Sequence, residues 1–149
     1  MAVIALQLLL SLGLLTCVAS DIRRRVIEHW LIAVMTVLAG SATYWAQLPV
    51  GNALVQAGLV LMVGFILFWL GVCGAGDVKL LAAISLAVSE QWWPWMLLLT
   101  AVLGGIVALG LLLVSGLGKP EWRAMGVPYA LAIAPSGGLA IWLTLLSAT

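Results

Sequence analysis

Two carboxylates, Asp21 and Asp77, stand at the edges of long apolar runs in a chain with only 5 acidic residues and 6 lysines and arginines. Ionisable groups at such a boundary are costly to desolvate unless they line a wet cavity or find partners, so they are functional candidates by default. Two aspartates at matched depth could share one proton. One member would then activate water as general base while the other donates a hydrogen bond to a scissile carbonyl. Position alone also allows a plainer account, in which Asp21 is the first solvated loop residue and Asp77 caps the following helix. The run Gly74-Ala75-Gly76-Asp77 adds weight to the dyad, because glycines able to take positive φ let backbone approach the carboxylate closely.

The remaining polar residues are weaker candidates. Lys79, two positions beyond Asp77, could orient a substrate or tune the dyad, and equally could be an interfacial lysine that extends its ammonium to water. His29 is the only histidine, so a boundary polar role outweighs metal binding. Cys17 and Cys73 are too far apart for a zinc knuckle or a CxxC pair, and read as small packing residues. Gly74-Ala75-Gly76 lacks the GxGxxG spacing, and Gly118-Lys119 is followed by Pro120 rather than Ser or Thr, so neither is a nucleotide site. No metal and no cofactor are expected.

The elements that must position these residues are membrane helices. With 65% hydrophobic and 7% charged residues in 149, the chain could not solvate a globular surface. Runs near the roughly 20 residues needed to cross a bilayer lie at about 2–20, 27–46, 52–71, 77–92, 94–115 and 127–147. The expected fold is therefore all-α, a single membrane-embedded domain over 1–149 with about six transmembrane helices. All six basic residues, Arg23, Arg24, Arg25, Lys79, Lys119 and Arg123, fall in or beside the first, third and fifth loops, which makes that face cytoplasmic and turns both termini outward. Tyr44, Trp45, Trp92, Trp93 and Trp95 mark the outer belt, and Trp30, Trp69 and Trp122 the inner one. Val18-Ala19-Ser20 looks like a signal-peptidase site, but no basic segment precedes the first run and Arg23-Arg24-Arg25 opposes export, so that run is expected to stay as a helix. The hairpin of the second and third helices returns Asp77 to the height of Asp21. Helix four offers only about 14 residues from Asp77 to Glu90, or roughly 21 Å, which predicts a recessed Asp77.

Gly74-Ala75-Gly76-Asp77-Val78-Lys79-Leu80 resembles the GxGD signature of the type IV prepilin peptidases. Asp21-Ile22-Arg23 followed by Ile27 is similar to that family's first aspartate motif, and Val127-Pro128-Tyr129-Ala130-Leu131-Ala132-Ile133-Ala134 to its last-helix segment. The three pieces occur in family order, and the chain's size resembles the small tight-adherence (Flp) pilus branch. Glu28-His29 and Ala130 depart from the usual pattern, which has Pro-Asn or Ser-Asn and a glycine there. The resemblance implies an aspartyl endopeptidase of the bacterial inner membrane. Its catalytic residues would be Asp21 and Asp77, supported by Gly74, Gly76 and Lys79, with Arg23, Pro128 and Tyr129 contacting substrate. The implied partners are a prepilin with a basic leader and an apolar helix, the lipid bilayer, and a pilus or secretion assembly machinery, with no nucleic acid. Presenilin-type proteases share the dyad logic but need more helices and a Tyr-Asp motif, whereas Ser20 precedes Asp21. A non-enzymatic pilus-assembly or ion-translocating subunit, with the aspartates as proton or ion ligands, is the alternative reading.

Overall fold

The computed structural model describes residues 2–24, 27–116 and 129–148. Six helices and no strands occur among them: α1 (Ala2–Arg24), α2 (His29–Trp45), α3 (Val50–Trp69), α4 (Ala75–Leu86), α5 (Trp93–Gly116) and α6 (Ala130–Ala148). Arg25, Lys119, Trp122, Arg123 and Pro128 lie outside the described residues. Stretches of α1, α3, α5 and α6 are long and apolar enough to cross a membrane. At 17 and 12 residues, α2 and α4 fall short of that length.

Two differences from the expected boundaries bear on the site. The first helix runs past residue 20 to Arg24, because Arg23 and Arg24 in its last turn complement the unpaired carbonyls there. Asp21 is therefore helical. The expected run 77–92 stops as a helix at Leu86, and α5 begins at Trp93, with Pro94 in its first turn where a missing N–H costs nothing.

The hairpin ends carry recognisable stops. After α3, Gly71 takes φ 73°, its N–H bonds to the Phe68 carbonyl at 2.9 Å, and the Val72 N–H reaches the Leu67 carbonyl at 2.9 Å. This is a Schellman turn with glycine in the left-handed position. The same pattern ends α2, but there Gln47 holds φ 56°, and the N–H groups of Gln47 and Leu48 bond to the Tyr44 and Thr43 carbonyls.

Helix α4 is central, packed against α2, α3 and α6, while α1 lies against α2 and α6, and α5 against α6. Val78, Leu80, Ala82, Ala83, Ile84 and Ser85 are all buried, so α4 has no exposed face over its last two turns. At about 1.5 Å per residue it is ~18 Å long, too short to bring both ends to water across roughly 30 Å of hydrocarbon. Neighbouring side chains therefore take over the backbone groups at its C-terminal end. Thr43 of α2 donates to the Leu86 carbonyl at 2.5 Å, and the Ser89 N–H donates to Thr144 Oγ1 of α6 at 3.1 Å. Gln56 of α3, its amide nitrogen oriented toward the two carbonyls, donates to Ser85 O at 3.2 Å and Val88 O at 3.1 Å. A helix can end inside a bilayer only where protein satisfies its backbone in this way.

Candidate active site

Asp21 owes its burial to helical periodicity. Gln7, Leu10, Leu14, Cys17 and Asp21 recur at three- and four-residue intervals, and all are buried on the packed stripe of α1. Asp21 ends that stripe at 7% exposure, whereas Ile22, Arg23 and Arg24 beside it are exposed. Arg24 pairs with Glu28 at 2.7 Å, an exposed contact of little energetic weight.

Asp77 is in the first turn of α4, where its Oδ2 accepts the Gly74 N–H at 3.2 Å and so satisfies one of the free donors of that end. Gly74 itself has φ −80° and ψ 147°, an ordinary extended conformation. The expected use of positive φ beside the carboxylate is therefore found not here but at Gly71. What Gly74 supplies is space: a Cβ there would lie 2.7 Å from Asp77 Oδ2. At Gly76 a Cβ would lie 3.4 Å from Ile27 Cβ, so buried Ile27 packs the chain just after α1 against the start of α4.

The Asp21 and Asp77 carboxylates lie within electrostatic reach of each other at this end of the bundle. They come from helices separated by the whole α2–α3 hairpin. Asp77 also lines an apolar cavity of about 380 Å³ bounded by α3, α4, α5 and α6. Val63 and Leu67 of α3, Leu81 of α4, Leu97 of α5 and Ile133 of α6 form walls of that cavity, and Trp93 lines it too, its indole N–H bonded to Ser85 Oγ at 3.2 Å. Trp93, expected in the outer belt, thus turns into the bundle.

Tyr129 lines the same cavity, and its ring edge comes within 3.0 Å of where a Cβ on Gly104 would be. Burial pushes its phenol above the ordinary value, with smaller pushes from Cys73 and then Asp77. Cys73 also lines the cavity, with Sγ 3.9 Å from the Gly64 carbonyl, and burial followed by the Asp77 charge raises its thiol. Reading Cys73 as a packing residue missed this. Its place immediately before Gly74-Ala75-Gly76-Asp77 was the available signal. Cys17 is fully buried in the core.

The other expected site residues are not gathered into the cavity. Lys79 is exposed and lies about 200° around α4 from Asp77. Arg23 is exposed at the end of α1. Among the described residues no three His, Cys, Asp or Glu side chains group closely enough to hold a metal ion. The arrangement offers two interacting carboxylates, one buried in a helix stripe and one opening on an apolar cavity with a phenol and a thiol beside it.

A profile of the type IV leader peptidase family matches residues 8–109, more than half of the chain, a stretch that includes Asp21, Gly74, Gly76, Asp77 and Lys79 but stops before Tyr129. No curated protein and no solved structure matches the chain.

Proposed function

This chain belongs to the type IV leader peptidase family, and from that premise we propose that it is an aspartyl endopeptidase that removes the short basic leader of a prepilin at the cytoplasmic face of the bacterial inner membrane. The observation that carries the reading is that Asp21 and Asp77 lie within electrostatic reach of each other, with Asp77 opening on an apolar cavity. The pair holds one proton. The ionised member takes a proton from water, whose oxygen adds to the scissile carbonyl carbon, while the protonated member gives its proton to the carbonyl oxygen. Collapse of the tetrahedral adduct breaks the C–N bond: one member gives its proton to the leaving amine, the other takes the proton of the adduct hydroxyl that becomes the new carbonyl, and the pair again holds one.

The apolar cavity suits the helix that follows a prepilin leader, with the junction brought to Asp77. Tyr129 contacts the substrate beside the reacting carbonyl, and the missing methyl of Gly74 keeps room for the Asp77 carboxylate, while Gly76 packs against Ile27 away from the reacting atoms. Arg23 and Lys79, both exposed, meet substrate only outside the cavity. The small Flp-type branch remains our reading of the substrate, from the motifs and the chain's size. Six crossings with both termini outward fit the charge pattern, with Arg23, Arg24 and Lys79 toward the dyad's end and Trp45 and Trp92 toward the other.

Cleavage of a synthetic prepilin by the purified protein in lipid nanodiscs tests the proposal. Asp21→Asn and Asp77→Asn should each lower cleavage at least about 100-fold while the protein still inserts. Wild type that cuts nothing would favour a non-enzymatic membrane subunit, and either variant at near-normal rate would overturn the dyad.

A further inference from the structure

Asp77 belongs to a helix that buried side chains from three other helices hold at its far end. Its own end is tied to backbone through the Gly74 N–H and packed by Ile27. At the other end, the polar side chains of Thr43, Gln56 and Thr144, all buried, hold Ser85, Leu86, Val88 and Ser89. These three residues come from α2, α3 and α6, the three helices against which α4 packs. Apolar contact fixes how α4 is surrounded but resists sliding weakly, because displaced methyl groups find new apolar neighbours. Directional hydrogen bonds to a helix end do resist sliding, since any axial shift leaves buried carbonyls without donors.

We propose that Thr43 and Gln56 are positioning residues: by clamping the outer end of α4 they set the depth at which Asp77 meets Asp21. The proposal rests on the protease reading above. Neither residue lines the cavity. The α3–α4 register supports the clamp, because Gly64 faces Val78 near the site while Gln56 faces Ser85 and Val88 two turns outward. A slip of α4 would carry Cys73 away from the Gly64 carbonyl, which makes that thiol a reporter of α4 independent of catalysis.

The experiment uses the full chain in nanodiscs with Cys17→Ala, adding Thr43→Val, Gln56→Leu or both, and Thr43→Ser as the variant that keeps the donor. Maleimide alkylation of Cys73 and the kcat and KM of prepilin cleavage are measured together. The double variant should alkylate at least about threefold faster and lose about 10- to 100-fold in kcat, as misplacement of the order of an ångström does. KM should stay unchanged, and Thr43→Ser should remain close to wild type in both readouts. Unchanged alkylation, with or without lost activity, overturns the clamp, and faster alkylation with normal kcat overturns its role in positioning Asp77. Wild type that cuts no substrate defeats the protease reading instead, while alkylation still decides whether the clamp holds α4.

Discussion

Gly74→Ala separates stability from activity. Backbone strain is absent, since alanine accepts φ −80° and ψ 147° as readily as glycine. The new methyl would sit 2.7 Å from Asp77 Oδ2, and ordinary C···O contact near about 3.3 Å requires the carboxylate to retreat by about 0.6 Å or to change rotamer. That movement stretches or breaks the 3.2 Å bond from the Gly74 N–H, a cap contribution of about 1 kcal/mol. The fold should therefore lose at most about 1 kcal/mol, because the atom that yields is the tip of a side chain. Catalysis should suffer far more, since displacing a reacting group by this order of distance costs about 10- to 100-fold. Gly76→Ala is the control, its Cβ meeting Ile27 Cβ at an ordinary 3.4 Å, and it should keep activity within about threefold. Both variants are compared with wild type for prepilin cleavage and for thermal unfolding in the same detergent. Normal cleavage by Gly74→Ala, or a larger loss in Gly76→Ala, refutes the reasoning.

Burial and the Asp77 charge both raise the Cys73 thiol, so in Cys17→Ala its maleimide reaction should still be gaining rate with pH beyond the ordinary thiol range, and Asp77→Asn should shift the profile to lower pH. A wild-type profile that levels off at the ordinary thiol value speaks against it. Gln47→Gly should stabilise the protein by about 0.5–1 kcal/mol, by relieving a left-handed φ of 56° that glycine adopts freely; lower stability in denaturant titration would contradict this. A single cysteine at position 24, with Cys17 and Cys73 replaced, should react only with reagents that reach the cytoplasm, and labelling from outside would invert the topology.

Much of the architecture is legible in the residues themselves. Apolar runs near membrane length predict the six helices in order, because hydrocarbon leaves backbone no alternative to internal hydrogen bonding. The two aspartates stand out because charge is so rare here, and the Gly74-Ala75-Gly76-Asp77 run marks the second. Helix periodicity also places Asp21 on the stripe of Leu14 and Cys17, a reading available once α1 is known to continue through it. The end of α1 is less legible, because the charges of Arg23 and Arg24 suit a loop and a helix C-terminus equally well.

What tertiary structure decided is where short elements stop and which side chains face one another. The end of α4 at Leu86 has no local signal, since the hydrogen bonds that make it tolerable come from Thr43, Gln56 and Thr144 on three other helices. The glycines before Asp77 advertise freedom of φ, yet the folded chain uses the missing methyl of Gly74 as room for a carboxylate. Cys73, Trp93 and Tyr129 become neighbours of one cavity only when α4, α5 and the start of α6 pack around it. Sequence periodicity fixes which face a residue occupies on its own helix. Rotation and axial register between helices depend on close-packed side chains and buried hydrogen bonds contributed from far along the chain, and those interactions exist only in the assembled bundle.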